Sequence, residues 1–441
     1  MNFEQYQDYL IDTATSLLSI DSASGFTSNV ADYLLKTIEE LGYPVFKNNI
    51  GNVIVTIEGE DNTEPVALSA HVDTLGLMVR SITSDGMLMI TSIGSPLLPS
   101  LDGEYCNIHT RDGRVYTGTI LSLSPAVHVF PDASTRDRDE QNMAVRIDEI
   151  VHSKEDVEAL GIHAGDFVCY DPKTTFTKSG FLKSRFIDDK ACSALELTLL
   201  KIMKDNDIKP KHKTYICFST HEEIGYGGAT LPKDIKELLV VDMGCVGLDL
   251  NCTEEQVSIC VKDSSGPFDY EMTTRLVNLA KKHNLDAVTD IYPRYSSDAL
   301  AVWRAGYDTR AALIGPGVQA SHGMERTHIK GLMNTLELCA AYLELIALFE
   351  KLMVSSLSCF RQITAPCSSW SSRKVPRRTP NARAILMRGA NEGRSTLFSI
   401  RSICSSARPE RTASSATLIS FVSRSDFIFS PTIFVLSMVC F

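Results

Sequence analysis

Two adjacent glutamates, Glu222 and Glu223, stand between an apolar segment and a glycine-rich turn. Residues 214–220 are rich in β-branched and aromatic side chains, which predicts a buried strand. Glycines at positions 225, 227 and 228 predict a tight turn directly after the glutamates. Ligands bind at the carboxyl ends of strands in an open α/β sheet, so in such a fold the two glutamates would lie at the edge where ligands bind.

The rest of the chain alternates between strand and helix patterns. Strand patterns occupy residues 44–47, 53–58, 66–70, 238–241, 257–261 and 311–314, and helix patterns occupy residues 28–41, 189–203, 268–283, 298–304 and 332–352. This alternation is typical of a mixed, mostly parallel sheet with helices on both faces. Between residues 75 and 179 the pattern changes to short strands separated by glycine turns, which predicts a small inserted all-β domain.

These patterns divide the chain into an α/β domain (residues 1–74 and 180–353), an inserted β domain (residues 75–179) and a tail (residues 354–441). The tail holds 19 serines and 11 arginines but a single lysine, and it shows no helix or strand periodicity. Such a composition is typical of a misjoined or out-of-frame end, or alternatively of a basic disordered segment. The tail is therefore predicted to lie outside the fold.

Charge and cysteine use argue against several classes of partner. Residues 1–353 hold 31 basic and 51 acidic side chains, and a body this acidic argues against nucleic acid or an anionic membrane as a partner. The sequence shows no secretory signal and no apolar run of the roughly 20 residues that span a bilayer. The 12 cysteines include no C-x-x-C pair, which indicates reduced, buried thiols in a cytoplasmic protein.

Acidic and imidazole side chains lie at the ends of predicted strands and helices. They are His71, Asp73, Asp188, Asp189, Glu222, Glu223, Asp242 and His322. If the strands share one sheet, these side chains converge, and clustered buried carboxylates require a compensating charge. Two divalent cations would supply it, and two imidazoles with several carboxylates suit Zn, Mn or Co. Taken singly, each residue also has an ordinary structural explanation, such as a helix cap, a solvated turn or a hydrogen-bonded core histidine.

Five motifs follow one another along the chain: His71-Val-Asp73, Phe186-Ile-Asp188-Asp189, Glu222-Glu223-Ile-Gly225, Val241-Asp242 and Ser321-His322. In this order they resemble metallopeptidase family forty-two, the dinuclear-metal glutamyl, leucyl and deblocking aminopeptidases that assemble as hollow tetrahedra. The resemblance covers residues 5–350. It implies a zinc-peptidase-like catalytic domain with the inserted β domain as a lid or dimerisation domain. It also implies two divalent metal ions (Zn, Co or Mn) per subunit, short peptides as substrates, and dimers that build a dodecamer.

The resemblance also implies a role for each site residue. The implied metal ligands are His71 with Asp242 on one ion, Glu223 with His322 on the other, and Asp188 on both. Asp188 would bridge the ions, often through a cis peptide to Asp189. Glu222 would be the general base, and Asp73 would orient His71.

The sequence around His322, the last implied ligand, departs most from the family pattern. The family usually has Arg-Tyr before this histidine and Ser-Pro after it, whereas here Ser321 precedes and Gly323 follows His322. We prefer His322 because it comes just past the Gly-Pro-Gly at residues 315–317. His328, at the start of the last predicted helix, is the reserve candidate. A second departure is Lys190, where the family usually has arginine or asparagine.

The sequence thus predicts a metal-dependent aminopeptidase that hydrolyses the amino-terminal peptide bond through a metal-bridging water. The alternatives are a related dinuclear-metal deacylase or carboxypeptidase-like hydrolase, a glycosidase that uses both glutamates, and a non-catalytic assembly protein. Adjacent residues at a strand end point to opposite faces, which is a poor arrangement for flanking a glycosidic bond. The preferred amino-terminal residue stays open, with Arg294, Tyr295 and Arg310 as candidates to meet an acidic side chain.

Overall fold

The computed structural model describes residues 2–346 and, further along the chain, residues 384–387 and 396–399. The chain divides into two units, residues 1–363 and residues 364–441. In the second unit the described strands, Ala384–Met387 and Thr396–Ser399, pair antiparallel. The remainder of the tail lies outside the described residues, so its predicted exclusion from the fold stays a prediction, as do the domain boundaries.

In the described part of the first unit, a mixed sheet of 13 strands and a closed barrel of six strands form the framework. In chain order the strands are β1 (Val45–Lys47), β2 (Val53–Ile57), β3 (Asp61–His71), β4 (Gly76–Ile82), β5 (Leu88–Ile93), β6 (Glu104–His109), β7 (Val115–Ser122), β8 (Met143–Ile147), β9 (Phe167–Tyr170), β10 (Thr175–Phe176), β11 (Phe181–Ser184), β12 (His212–Ser219), β13 (Glu237–Val241), β14 (Gly244–Val246), β15 (Val257–Asp263), β16 (Gly266–Pro267), β17 (Ala287–Ile291), β18 (Arg310–Gln319) and β19 (Glu325–His328). Strands β4 to β9 close the barrel, and the others form the sheet. In the middle of the sheet β12, β3, β13 and β18 are parallel neighbours, whereas β2 joins β12 antiparallel, as β15 and β19 join β18.

Helices cover both faces of this sheet. They are α1 (Gln7–Leu18), α2 (Ser28–Leu41), α4 (Ile187–Asn206), α5 (Tyr270–Lys282), α6 (Asp298–Arg304) and α7 (Ile329–Tyr342), while α3 (Lys154–Ala159) belongs to the inserted segment. Ile216 and Phe218 of β12 are buried in the same core cluster as residues of α1, α2, α4, α5 and α7, and Tyr215 and Cys217 are buried in a second cluster with α6. The mixed sheet, its two helical layers and the inserted barrel confirm the predicted fold class.

The helix at residues 28–41 forms as its pattern predicts. Val30, Leu34 and Ile38 lie buried on one stripe, and Gly42 closes the helix with a φ of 83°. Glycine takes this left-handed conformation without strain, which makes it a common helix terminator. Among the described residues, no helix has both the length and the apolar character needed to cross a membrane.

Strand β18 continues where the sequence predicted a loop. The predicted strand stops at residue 314, but β18 extends through the Gly-Pro-Gly at 315–317 to Gln319. A Cβ added to Gly315 would lie 1.8 Å from the carbonyl oxygen of Asp242. The glycine therefore permits a close approach of two strands in the sheet interior rather than a turn.

One edge of the sheet collects the ends of the central strands. Because β3, β12, β13 and β18 are parallel, their carboxyl ends lie together. The chain leaves this edge after β3 to form the barrel, and it returns through β10 and β11 to the start of α4. The site residues lie along this edge.

Candidate metal centre

Each predicted site residue lies at or just past the end of an element on this edge. His71 ends β3, Asp242 follows β13, and Glu222 begins the short 3-10 helix Glu222–Ile224 after β12. Asp188 lies at the start of α4 with non-helical backbone angles, and the Asp188–Asp189 peptide bond is cis, as the resemblance implies. His322 lies in the connection between β18 and β19.

His71 is buried with both ring nitrogens facing site groups. Its Nδ1 atom lies 2.9 Å from the carbonyl oxygen of Asp73 and 3.6 Å from that residue's Oδ1. Its Nε2 atom lies 3.1 Å from Oδ1 of Asp188 and 3.8 Å from Oε2 of Glu222. The imidazole is therefore oriented from one side and presents Nε2 to the carboxylates on the other.

Asp188 lies between the two imidazoles. Its Oδ1 atom faces His71, and its Oδ2 atom lies 3.7 Å from Nε2 of His322. The same Nε2 lies 3.7 Å from Oε2 of Glu223. A carboxylate that turns one oxygen to each of two ligand groups has the arrangement needed to bridge two cations.

Burial and the repulsion between neighbouring carboxylates change the pKa values of the site residues. Burial raises the pKa of Glu222 and that of Glu223 well above their ordinary values, and neighbouring carboxylates add to the effect. Burial and the charge of Asp188 raise the pKa of Asp242 to about 7. Burial disfavours a charged His71, but its hydrogen bond with Asp188 raises its pKa. Cations would stabilise the ionised carboxylates, so this donor set fits divalent metal ions.

Two groups of possible ligand atoms support that fit. The first group consists of His71, Asp188 and Glu223, and the second consists of His71, Asp189 and Asp242. Within each group the possible ligand atoms lie no more than 4.8 Å apart. Asp189 was not predicted as a ligand. Its Oδ2 atom accepts a hydrogen bond from the backbone N–H of His71 at 3.1 Å. Its Oδ1 atom is buried and has no partner in the described part of the chain.

Glu325 is a buried site residue that the sequence did not reveal. One of its carboxylate oxygens accepts a hydrogen bond from the backbone N–H of Asp188 at 3.1 Å, and the other accepts one from the backbone N–H of His322 at 3.0 Å. It therefore joins the two segments that carry these side chains. Its position three residues after His322 is the only sequence signal, and it becomes meaningful only once the turn is known.

A cleft of about 940 Å³ opens onto the centre. Its lining includes Asp188, Glu222, Glu223, Asp242, His322, Arg294 and Tyr295. Burial, and then the charge of Asp242, raises the pKa of Tyr295, so the phenol stays protonated at neutral pH. Arg310 is not part of this lining, because it pairs with Glu237 near the opposite ends of the strands.

His328, the reserve candidate, lies elsewhere. Its Nδ1 atom accepts from the Lys330 N–H at 3.1 Å, as an N-cap of α7, and its Nε2 atom lies 2.9 Å from the Ser179 carbonyl oxygen. Its ring also packs edge-on against Phe181. These contacts are those of a structural histidine, whereas His322 lines the cleft.

The sequence matches one family and several aminopeptidases. The family model described as M42 glutamyl aminopeptidase matches residues 51–338. A Bacillus subtilis protein named "Putative aminopeptidase YhfE" is 46% identical over 329 residues, which are 74% of this chain and 95% of that protein. The glutamyl aminopeptidase of Lactococcus lactis is 26% identical over 224 residues, which are 50% of this chain and 61% of that protein.

Solved structures share the fold. The aminopeptidase APDkam598 from Desulfurococcus kamchatkensis aligns with a TM-score of 0.70 at 21% identity, over 77% of this chain and 95% of that chain. The TET1 peptidase of Pyrococcus horikoshii, described as assembling into a tetrahedron or a large octahedral shell, aligns with a TM-score of 0.65 at 20% identity. That alignment covers 76% of this chain and 99% of the other.

Proposed function

Since this chain belongs to the M42 glutamyl aminopeptidase family, we propose that the cleft at the carboxyl edge of its sheet is where it removes amino-terminal residues from short peptides. The chain is a metal-dependent aminopeptidase, a hydrolase of peptide bonds. The observation that supports this location most directly is the carboxylate of Asp188, which lies between the imidazoles of His71 and His322.

The proposed centre takes two divalent metal ions, Zn, Co or Mn. His71 and Asp242 would hold one ion, Glu223 and His322 the other, and Asp188 both. When bound, such ions polarise a peptide carbonyl and acidify water. The buried carboxylates carry the negative charge that these ions neutralise, and they also match the positive charge of a substrate's free α-amine.

Glu222 is proposed as the general base. It lines the cleft and is the glutamate of the pair that the ligand set does not require. Its carboxylate would take a proton from the attacking water and return it to the leaving amine. Burial raises its pKa, which brings its proton affinity closer to that of a base working near neutral pH.

The substrate test uses the full chain, stripped of metal and reconstituted with Zn, Co or Mn. We expect hydrolysis of aminoacyl-nitroanilides that depends on the added ion, and no hydrolysis of N-acyl amino acids. The amino-terminal preference follows from a panel of such anilides. Activity on the N-acyl compounds alone would support the deacylase alternative instead.

A Glu222→Gln variant tests the base. Loss of a general base should lower kcat by roughly 10²–10⁴-fold while the metal content stays unchanged. Glu255→Gln is the matched control, because Glu255 is an exposed glutamate paired with Lys330. Near-normal turnover by metal-loaded Glu222→Gln would show that another group moves the proton.

We also infer self-association through dimers to a dodecamer. The TET1 peptidase, which shares the fold, is described as assembling into a tetrahedron or a large octahedral shell. Val127, Val129 and Ile150 of the inserted segment are 69%, 70% and 91% exposed, and an interface that covered them would remove apolar surface from water. Light scattering should give about twelve times the 48.6 kDa mass of one chain, and a mass of one chain would contradict the inference.

The cytoplasmic location and the lack of nucleic-acid and membrane partners rest on the sequence and stay predictions. The acidic charge of residues 1–353 supports the lack of these partners, and the cysteines without a C-x-x-C pair support the location.

A further inference from the structure

Tyr295 lies on the wall of the cleft, between β17 and α6. The Tyr292 N–H donates to the Lys262 carbonyl at 2.9 Å, and the Ser264 N–H donates to the Tyr295 carbonyl at 3.0 Å. The rings of Tyr292 and Tyr295 pack at a steep angle with 5.4 Å between their centroids. Backbone and ring contacts therefore both fix the position of the Tyr295 hydroxyl.

The hydroxyl oxygen of Tyr295 is buried and, among the residues that the structure describes, has no hydrogen-bond partner. Asp242, Asp188 and Glu222 line the same cleft, and after burial their charges raise the pKa of Tyr295. Of these three residues, Asp242 interacts most strongly with the Tyr295 hydroxyl, but the contact does not have the geometry of a hydrogen bond. Buried polar groups nearly always have a partner, and each exception needs an explanation. An unpaired donor on the wall of a substrate cleft is explained by an acceptor that arrives with the substrate.

A peptide brings two polar groups to this end of the cleft, its α-amine and the carbonyl of its first peptide bond. The amine is a donor and is matched by the carboxylates, which leaves the carbonyl oxygen as the acceptor for a neutral hydroxyl. When water attacks the carbonyl carbon, the electron pair of the C=O π bond moves onto this oxygen. The acceptor therefore becomes stronger in the transition state, where a fixed donor is most effective.

We propose that the hydroxyl of Tyr295 donates a hydrogen bond to the carbonyl oxygen of the scissile bond as negative charge develops there. The proposal rests on the aminopeptidase site proposed above. Tyr295 keeps its proton throughout, and no covalent bond to it forms or breaks. Tyr295 is thus a catalytic residue in addition to the metal ligands and the general base.

The test compares the metal-loaded full chain with its Tyr295→Phe variant. Loss of one donor to a developing oxyanion should lower kcat by roughly 10²-fold, with KM and metal affinity unchanged. Affinity for an α-aminophosphonate analogue, whose charged oxygens mimic that oxyanion, should fall by a similar factor. Tyr43→Phe is the control, because it removes a hydroxyl that donates to the Leu200 carbonyl at 3.1 Å and does not line the cleft.

Each outcome decides. Unchanged kcat or unchanged analogue affinity would overturn the proposal. A fall in metal affinity, measured by calorimetry on metal-stripped protein, would mean that Tyr295 positions Asp242 and would also overturn it. If the wild type cleaved no aminoacyl substrate, the proposed function would fail, and the affinities of the two proteins for the analogue would still decide the role of Tyr295.

Discussion

The backbone N–H of Glu222 donates a hydrogen bond to Oδ1 of Asp73, with 3.2 Å between the nitrogen and the oxygen. Oδ2 of Asp73 accepts from the Glu223 N–H at 3.3 Å and from the Ser24 hydroxyl at 2.5 Å. Asp73 follows β3 and the glutamates follow β12, so these bonds join the ends of two neighbouring parallel strands. Asp73 therefore fixes the turn from which both glutamates project, in addition to lying beside His71.

Asp73→Asn should weaken metal binding and turnover together. The amide has the same shape, but one acceptor oxygen becomes an NH2 group that faces a backbone N–H, so a hydrogen bond to the turn is lost. We expect a loss of about 10–100-fold in metal affinity, the range for groups that orient ligands, by calorimetric titration. Asp32→Asn is the control, because Asp32 is an exposed partner of Lys47. Unchanged metal affinity in Asp73→Asn would show that the turn keeps its position without this carboxylate.

Metal binding should strengthen as the pH rises through about 7. Burial and the charge of Asp188 raise the pKa of Asp242 to about 7, and a carboxyl group binds a cation only when ionised. Below this pH the proton on Asp242 competes with the ion, and above it Asp242 no longer contributes to that competition. Titrations of metal-stripped protein at about pH 6 and about pH 8 should show tighter binding at the higher pH. Equal affinities would mean that Asp242 is not a ligand.

The same shift has the opposite effect on the stability of the metal-free protein. The folded state raises the pKa of Asp242 above the ordinary value of 3.8, so it favours the protonated form. The contribution to stability is full below the unfolded pKa and is lost as the pH rises through about 7. Thermal unfolding with a chelator should therefore show stability falling across this range, and Asp242→Asn should flatten the fall. A slope that is identical in the variant would assign the effect to other groups.

Glu325→Gln should weaken metal binding at the ligands near His322. The carboxylate accepts from the Asp188 and His322 N–H groups, and the amide can accept from only one of them while its NH2 group faces the other. We expect roughly 10-fold weaker metal binding and a loss of about 1–3 kcal/mol in the free energy of unfolding. Glu255→Gln again serves as the control, since exposed ion pairs contribute at most about 1 kcal/mol. Unchanged metal affinity would limit Glu325 to a structural role.

The sequence predicted where the site residues lie because most of them are set by strand ends. His71, Glu222 and Asp242 each follow an apolar run that forms a parallel central strand, and parallel strands bring their carboxyl ends together. Glu325 escaped prediction because its function depends on a contact with Asp188, 137 positions away, that only the folded loops create. Local pattern carries no information about such contacts.

The missed elements have weak local signals for physical reasons. The buried stripe of α1 includes Thr13 and Ala14, which add little to an apolar pattern. Strand β17 lies beside β15 with Asp290 as its one buried residue, so its strand pattern is weak. The end of β18 was missed because glycine and proline normally indicate a turn, whereas here Gly315 allows close packing beside Asp242.

His322→Ala and His328→Ala should separate a ligand from a structural histidine. The Nε2 atom of His322 lies 3.7 Å from carboxylate oxygens of both Asp188 and Glu223, so its loss should remove one of the two proposed ions and lower turnover by more than about 10²-fold. His328 instead caps α7 and contacts the Ser179 carbonyl, so its loss should cost about 1–3 kcal/mol of stability while both ions stay bound. Metal content by elemental analysis and thermal unfolding check the pair. The opposite pattern, with the ion lost only from His328→Ala, would make His328 the ligand and leave His322 to orient Asp188.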